Sequence, residues 1–256
     1  MQERSGDAPS VFRPSPCLRV DAVRASPEHA RTDYVGRVAK TLETVIGRTR
    51  AVLHADRALY LPAHDALVVA DVHLGKSATF RAHRIPVPGG TTASDLQRLD
   101  VLLGETGARE LVILGDLLHA KRGVTDGLVA QLEAWRARHA ALGVTLVRGN
   151  HDAHAGDPPA SLAIRCVDAP APLGEFRLHH HPRSEPDGIV LAGHVHPAVR
   201  LRGRGRQAIT LPCFAVRHDL VLLPAFGGFT GSAVLDAAEW DRFYAIADGD
   251  LVALDA

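Results

Sequence analysis

The sequence predicts an α/β fold in which two packed sheets are flanked by helices. Several short apolar runs are bounded by Gly or Asp, which is typical of buried central strands. Residues 92–104 and 125–141 have the pattern of helices, and the chain becomes strand-rich after Glu175. With 256 residues, of which 46% are hydrophobic, the chain is long enough for one large domain with a substantial core.

The predicted elements begin after an N-terminal extension over residues 1–50. Its stretch from 10 to 32 is rich in Arg, Ser, Pro and Ala, which predicts a largely flexible arm, and residues 34–46 predict one short helix. An arginine-rich arm could contact DNA phosphates or serve as a transit sequence, but a poorly ordered terminus is the favoured interpretation. The domain is expected over residues 51–256, and its four buried strands are predicted at 66–70, 111–114, 144–147 and 189–192.

Composition narrows the class of protein only in part. Lys plus Arg and Asp plus Glu both total 29, so any contact with nucleic acid must be local. The three cysteines, Cys17, Cys166 and Cys213, are far apart, which argues against a disulfide framework or a zinc ribbon. No apolar stretch approaches the roughly 20 residues that span a bilayer, and the first residues lack a hydrophobic signal core. We therefore expect a cytoplasmic protein.

Four clusters of polar residues follow the four predicted strands, three of them directly and one after Arg148. They are Asp71-Val72-His73, Gly115-Asp116-Leu117-Leu118-His119, Gly149-Asn150-His151-Asp152 and Gly193-His194-Val195-His196. Side chains at the carboxyl ends of neighbouring strands meet in one crevice, and the glycines let the backbone turn sharply there. Carboxylate, imidazole and amide groups are ligands that Mn²⁺, Fe and Zn²⁺ accept. The clusters therefore predict a two-metal site suited to phosphate-ester hydrolysis.

These motifs in this order resemble the calcineurin-like metallophosphoesterase superfamily. Within this superfamily, longer segments resemble one narrower family, the bacterial ligase-associated metallophosphoesterases, which are described as DNA damage response endonucleases. These segments are Ala70 to Lys76, Phe80-Arg81, Ile85 to Pro88, Val147 to Asp152, Gly156 to Pro159, His180 to Arg183, Ala198 to Arg206, Leu211 to Phe214 and Leu223 to Gly227. The resemblance implies a four-layer αββα sandwich with two packed mixed sheets. It also implies a metal-dependent phosphodiesterase that acts in DNA repair with a ligase, a nuclease and a helicase.

The resemblance also implies a role for each motif residue. The first metal is expected on Asp71, His73 and His196, the second on Asn150, His180 and His194, with Asp116 bridging both and His151 acting as the acid that stabilises the transition state. The two ions are expected to be Mn²⁺, with Fe or Zn²⁺ as alternatives. Bound as a pair, they would polarise the phosphoryl oxygens and activate a water for in-line attack.

The run His179-His180-His181 admits more than one assignment. Strand alternation places His180 on one face and its two neighbours on the other. The resemblance favours His180 as the ligand, because it lies two residues before Pro182. His179 and His181 are then candidates for contacts with a ligand or with the substrate.

One position departs from the superfamily pattern. Many members have a carboxylate where this chain has His119, and that carboxylate orients the histidine that corresponds to His151. The orienting group in this chain could therefore be Asp152, another acid, or a neutral His119 that acts as an acceptor. Asp152 could equally cap the turn that follows it.

Arginines give the main indication of the substrate. Arg200, Arg202, Arg204 and Arg206 alternate with Leu201, Gly203 and Gly205, a spacing suited to the phosphates of a nucleic acid backbone. The plainer interpretation is a solvated hairpin tip. Arg148 is a further candidate for binding a phosphate oxygen. With 5% aromatic residues, the chain offers no evident stacking platform for base-specific reading.

Three functions are consistent with these features. The first is a DNA endonuclease that cleaves single-stranded or damaged DNA, and the second is a phosphodiesterase or phosphatase of a nucleotide or other small phosphate ester. The third, a non-catalytic interaction platform, is disfavoured because every expected ligand and His151 are present. The metal chemistry alone does not separate the first two functions.

Overall fold

The computed structural model describes residues 39–82, 90–203, 207–228 and 230–255. Its α-helices are α1 (Lys76–Ala82), α2 (Thr91–Thr106), α3 (Asp126–Arg138) and α4 (Asn150–Ala155). Its strands are β1 (Thr41–Ile46), β2 (Thr49–His54), β3 (Ala58–Leu61), β4 (Ala66–Val69), β5 (Glu110–Leu114), β6 (Gly143–Val147), β7 (Arg165–Val167), β8 (Ala171–Leu173), β9 (Phe176–Leu178), β10 (Ile189–Ala192), β11 (Pro197–Arg202), β12 (Ala208–Arg217), β13 (Leu220–Leu222), β14 (Ala233–Val234), β15 (Arg242–Ala247) and β16 (Asp250–Asp255).

The strands form two mixed sheets. The first has the order β1-β2-β3-β4-β5-β6-β7, in which β1 to β4 are antiparallel and β4 to β7 are parallel. The second has the order β14-β11-β12-β13-β10-β9-β8, and β15 and β16 extend it beside β12. Strands β4 to β6 lie inside the first sheet and β10 and β13 inside the second, and apolar groups cover both faces of these parallel strands.

Apolar side chains fill three layers. The layer between the sheets contains Leu114, Phe176 and Phe214, all of which are fully or nearly fully buried. Helices α2 and α3 cover the other face of the first sheet. The outer face of the second sheet packs against the segment around a 3₁₀ turn, Ala237–Glu239, rather than a longer helix. This arrangement confirms the predicted two-sheet metallophosphoesterase sandwich.

Local signals set the ends of the two longer helices. In α2, Leu96, Leu99 and Leu103 form an apolar stripe, and the Gly107 N–H donates to the Leu103 carbonyl with Gly107 at a φ of 66°. In α3, the Thr125 hydroxyl accepts from the Leu128 N–H as an N-cap. Both helices agree with the prediction to within three residues.

The start of the domain differs from the prediction. The helix expected at 34–46 is wrong for its second half, because Thr41–Ile46 form β1 and pair antiparallel with β2. The alternation of exposed and covered residues along β1 suits a strand, and the Thr44 hydroxyl lies 3.1 Å from that of Tyr244 across the sandwich. The first sheet therefore includes residues before the expected boundary at 50. The predicted arm at 10–32 lies outside the described residues.

Within the described ranges, the search for a helix long and apolar enough to cross a membrane finds none.

Candidate active site

The predicted polar clusters meet in one crevice at the carboxyl ends of parallel strands from both sheets. Strands β4, β5 and β6 bring the clusters at 71, 116 and 150, while β9 and β10 bring those at 180 and 194. The His73 N–H donates to the Asp116 carbonyl at 2.8 Å, which joins the loops of β4 and β5. The His194 N–H donates to the Asp71 carboxylate at 2.8 Å, which joins the two sheets across the crevice.

Asp71, His73 and His196 form the first cluster of potential metal ligands. The Nε2 atoms of His73 and His196 lie 3.3 Å apart, and the His196 Nε2 lies 3.5 Å from the Asp71 Oδ1. The His196 Nδ1–H donates to the Gly231 carbonyl at 3.1 Å, which directs Nε2 toward the cluster. The Asp71 Oδ1 is buried and has no hydrogen-bond partner among the described residues. An unpartnered carboxylate oxygen facing two imidazole nitrogens fits a divalent cation.

The second cluster is centred on His180. Its Nε2 lies 2.9 Å from the Asn150 Oδ1 and 3.1 Å from the His194 Nδ1, while its Nδ1–H donates to the Leu114 carbonyl at 3.0 Å. His179 lies 3.0 Å from Glu185 instead, and His181 is exposed, with its ring 4.0 Å from that of His194. His180 is therefore the histidine of the run that faces both Asn150 and the buried acids.

Asp116 lies between the two clusters. Its Oδ1 is 3.5 Å from the His180 Nε2, and its Oδ2 is 3.8 Å from the His73 Nε2. One carboxylate thus directs one oxygen to each cluster, and it is only 2% exposed. The donor atoms of Asp71, Asp116 and His180 all lie within 4.8 Å of one another, which makes the clustered groups compatible with a divalent metal site.

The protonation states also suit metal binding. Burial lowers the pKa of His73 to about 2, with a smaller contribution from Lys76, and burial lowers the pKa of His119 to about 4. Burial lowers the pKa of His194 as well. At neutral pH these imidazoles are uncharged, so each has a nitrogen lone pair that can bind a cation.

Five of the expected ligands have a left-handed backbone. The φ angles are 53° at Asp71, 52° at His73, 52° at Asp116, 69° at His194 and 52° at His196. Such conformations cost about 1–3 kcal/mol each for residues other than glycine, and they cluster at functional sites. Each sharp turn allows the side chain of a residue after a strand to point back into the crevice.

The glycines of the motifs serve two different needs. Gly115 has a φ of 79°, so it makes the predicted sharp turn, and a Cβ there would overlap the His180 ring. Gly149 has an ordinary φ of −97°, and a Cβ there would overlap Asp116. Similarly, a Cβ at Gly193 would overlap the Asp71 carboxylate. For Gly149 and Gly193 the requirement is therefore close approach to a buried acid rather than an unusual turn.

His151 is oriented by the main chain. Its Nδ1–H donates to the His119 carbonyl at 2.6 Å, so its Nε2 points into the crevice and lies 3.9 Å from the Asp116 Oδ2. The rings of His119 and His151 stack with centroids 4.9 Å apart, and the Phe80 ring stacks on that of His119 with centroids 6.2 Å apart. The orienting group is thus none of the three side-chain candidates, and the stacking role of Phe80 was not predicted.

Asp152 has a structural role and does not orient the His151 ring. Its carboxylate is buried and accepts N–H groups from Asp116, Leu118 and Gly149 at 2.7, 3.2 and 2.9 Å. It therefore fixes the loop after β5 to the start of α4. This contact places Asp116 and His151 relative to each other, although Asp152 does not touch the His151 ring in any described hydrogen bond.

The predicted substrate arginines differ in their surroundings. Arg148 is already paired with Asp157 at 2.7 Å through two parallel hydrogen bonds and with Asp168 at 3.0 Å, and these bonds raise its pKa. This pairing is a correction to its predicted use as a free phosphate ligand, and it anchors the loop after α4. Arg200 and Arg202 are exposed on β11, whereas Arg204 and Arg206 lie outside the described residues.

Comparisons with known proteins agree with this geometry. The crystal structure of Pseudomonas putida nuclease MPE is 43% identical to this chain, with a TM-score of 0.74, and the match covers 84% of this chain and 100% of that one. The structure of Yfce, a phosphoesterase from E. coli, is 16% identical over 74% of this chain and 98% of its own, with a TM-score of 0.39. No family model and no curated protein matches the chain. From the identity and coverage of the Pseudomonas putida structure, and from the paired ligand clusters, this chain belongs to the metallophosphoesterase family.

Proposed function

We propose that this protein is a dinuclear-metal-dependent phosphodiesterase that acts as a DNA endonuclease in repair. The observation that supports it most is Asp116, which directs one carboxylate oxygen to each cluster of ligands. Asp71, His73 and His196 would hold the first ion, and Asn150, His180 and His194 the second. Bound ions would polarise a phosphoryl oxygen and activate water, and imidazole-rich sets favour Mn²⁺ over Mg²⁺, which prefers oxygen ligands.

His151 is proposed as the acid that protonates the leaving oxygen. Its Nδ1 is fixed by the His119 carbonyl, so only Nε2 is available to the substrate. When both nitrogens are protonated, Nε2–H can donate to the oxygen of the departing strand as negative charge develops there. The stack of Phe80, His119 and His151 restricts rotation of the ring, which keeps the donor aimed into the crevice.

Nucleic acid is the proposed substrate class for two reasons. The Pseudomonas putida structure is named as a nuclease, and Arg200 and Arg202 leave the crevice region as exposed cations on one strand. We further propose cytoplasmic action on single-stranded or damaged DNA, alongside a ligase, a nuclease and a helicase. These finer assignments depend on the family resemblance.

Cleavage of circular single-stranded DNA tests this proposal, because a circle has no ends and only an endonuclease can cut it. The Mn²⁺-loaded protein should linearise the circle, should work less well with Mg²⁺, and should turn over a panel of nucleotides more slowly. Asp116→Ala protein, purified in the same way, is the control for a contaminating nuclease. Rapid hydrolysis of a nucleotide or a generic phosphodiester with no cleavage of the circle would favour the small-molecule phosphodiesterase.

A further inference from the structure

We propose that Arg57 forms a phosphate-binding subsite beside the metal centre, where it holds a backbone phosphate of the nucleic acid strand on the side of His196. The proposal rests on the proposed function, because it requires a polyanionic substrate. Arg57 lies in the turn between β2 and β3, at the end of the first sheet that carries the crevice. Nothing in the sequence motifs points to this residue.

The subsite is a cleft that shares a wall with the first cluster of ligands. It has a volume of about 110 Å³ and is lined by Arg57, His196, Pro212, Thr230 and Ser232, among others. A water molecule takes up about 30 Å³, so the cleft can accept a phosphate group in place of several waters. The guanidinium and the Ser232 hydroxyl are donors suited to phosphate oxygens, whereas the Thr230 hydroxyl already donates to the Gly227 carbonyl at 3.2 Å. The cleft therefore has both the size and the chemistry for an anion next to the scissile bond.

The charge of Arg57 is only partly compensated by the protein. Its hydrogen bonds among the described residues both start from Nη1, to the carbonyls of Ala225 at 3.0 Å and Gly227 at 3.3 Å. Burial lowers the pKa of Arg57, and the nearby Arg98 lowers it further, while Asp95 and Asp56 act in the opposite direction. Carbonyl groups carry no net charge, so an anion in the cleft would stabilise this half-buried cation.

The cleft continues into the arginines of β11. Val199 and Leu201 pack into the outer core of the second sheet, so Arg200 and Arg202 lie on the opposite face of the strand. Ala198 shares that face and pairs with Pro212, which lines the cleft. Residues on one face of a strand are spaced by about 6.6 Å. Arg200 and Arg202 thus lie on the strand face that adjoins the cleft, and with Arg57 they offer further cations to one polyanionic strand.

Arg57 also holds the loop 225–227 through its hydrogen bonds to the Ala225 and Gly227 carbonyls. This clamp is the competing explanation for the position of Arg57. The Phe226 and Gly227 N–H groups donate to the Ala70 and Asp71 carbonyls, so the loop supports a metal ligand. A residue that acts only as a clamp would affect all substrates equally. A phosphate subsite, in contrast, would affect only substrates long enough to reach it and would contribute to the salt dependence of binding.

Two substitutions separate charge from clamping. Arg57→Gln removes the charge but keeps an amide N–H for the carbonyls, and Arg57→Lys keeps the charge. Arg48→Gln is the matched control, because Arg48 is exposed, pairs with Glu175, and lies at the other end of β2. For each Mn²⁺-loaded protein, kcat and KM are measured over a series of salt concentrations on a single-stranded oligothymidylate and on bis-p-nitrophenyl phosphate. Thermal unfolding and Mn²⁺ content of each variant show whether the fold and the metal site are retained.

Arg57→Gln should raise KM for the oligonucleotide about tenfold or more. It should also reduce the slope of log(kcat/KM) against log[salt] by about 0.7, the value for one phosphate contact on a single strand. The loss on the small diester should be much smaller, and Arg57→Lys should retain most of the slope. Equal losses on both substrates, or a wild-type salt slope in Arg57→Gln, would overturn the subsite and leave the endonuclease proposal intact. A wild-type protein that hydrolyses the small diester but no oligonucleotide would instead refute the proposed function, and the subsite with it.

Discussion

The floor of the crevice, formed by Asp71, Asp116 and His180, differs from its rim, formed by His151, Arg200 and Arg202. Each floor residue is at most 2% exposed and is tied to the backbone of a neighbouring loop. The His151 side chain is 37% exposed and is fixed by one carbonyl and a ring stack, and the two arginines are exposed. The floor is therefore built before any ligand arrives, whereas the rim has freedom to adapt to a substrate.

This difference separates two roles within one site. Rigid, desolvated ligands suit ions that need fixed geometry, and second contacts to ligating groups maintain their orientation. Exposed cations suit a flexible polyanion, because their contribution comes from charge and counterion release rather than from exact placement. Substitutions in the floor should therefore abolish chemistry, and substitutions in the rim should change how substrates are held or released.

The largest effect is expected from Asp116→Ala in the floor. Removal of the carboxylate between the clusters should lower metal content and reduce kcat by more than the roughly 10²–10⁴-fold typical of a lost acid. Asp126→Ala, at an exposed carboxylate in the first turn of α3, is the matched control. Elemental analysis and turnover of a generic phosphodiester check the result. Two ions still bound to Asp116→Ala would show that this carboxylate is not shared.

His151→Ala at the rim should keep both ions but lower kcat by about 10²–10⁴-fold, because a positioned proton donor is lost. Metal content and single-turnover rates measure the two effects separately. The control is His218→Ala, since that side chain is 83% exposed and is remote from the ligand clusters in sequence. If His151→Ala protein loses an ion, His151 is a ligand and belongs to the floor.

Asp152→Ala tests the support beneath both regions. Three buried N–H groups would lose their acceptor, and each unsatisfied group costs about 1–3 kcal/mol. We therefore expect the free energy of unfolding to fall by about 3 kcal/mol or more, with Asp152→Asn less affected because it keeps one oxygen. Urea unfolding of the metal-free proteins measures this. Wild-type stability for Asp152→Ala would mean that these hydrogen bonds do not fix the loop.

The variants His180→Ala and His181→Ala compare a buried residue of the floor with its exposed neighbour in the chain. Loss of a group that only supports a ligand weakens metal binding by about 10–100-fold. Loss of His180, a proposed ligand itself, should weaken Mn²⁺ binding by more than that. Loss of the exposed His181 should weaken it far less. Isothermal titration with Mn²⁺ gives both affinities. The reverse order would move the ligand to His181 and would contradict the orientation argued from Leu114 and Asn150.

The smallest effect on chemistry is expected from replacing Arg200, Arg202, Arg204 and Arg206 together by Ala. KM for single-stranded DNA should rise. The slope of log(kcat/KM) against log[salt] should become shallower by about 0.7 for each phosphate contact that is lost. Turnover of a small diester should hardly change, because neither Arg200 nor Arg202 belongs to the ligand clusters. Equal losses on both substrates would indicate a structural role for the hairpin.

The sequence predicts which residues of the floor lie together better than it predicts the contacts of the more exposed groups, for a physical reason. Ligands at the ends of parallel strands converge in almost any open α/β sheet, so the order of the motifs was enough to bring Asp71, Asp116 and Asn150 together. The partner of Arg148 and the carbonyl that orients His151 depend on how separate loops pack. Arg57 lies in a turn with no motif, and the other residues that line its cleft are far from it in sequence. Similarly, residues 41–46 form a strand because they pair with β2, and the local sequence pattern does not show this pairing.

The most direct test of the two-metal account is the anomalous scattering from a crystal of the protein grown with Mn²⁺. The account predicts two peaks, one among Asp71, His73 and His196 and one among Asn150, His180 and His194, with an oxygen of Asp116 in contact with each. His73, His119 and His151 form an alternative cluster of donor atoms. A single peak, or a peak at that alternative cluster, would contradict the shared role of Asp116 and the assignment of His151 as an acid.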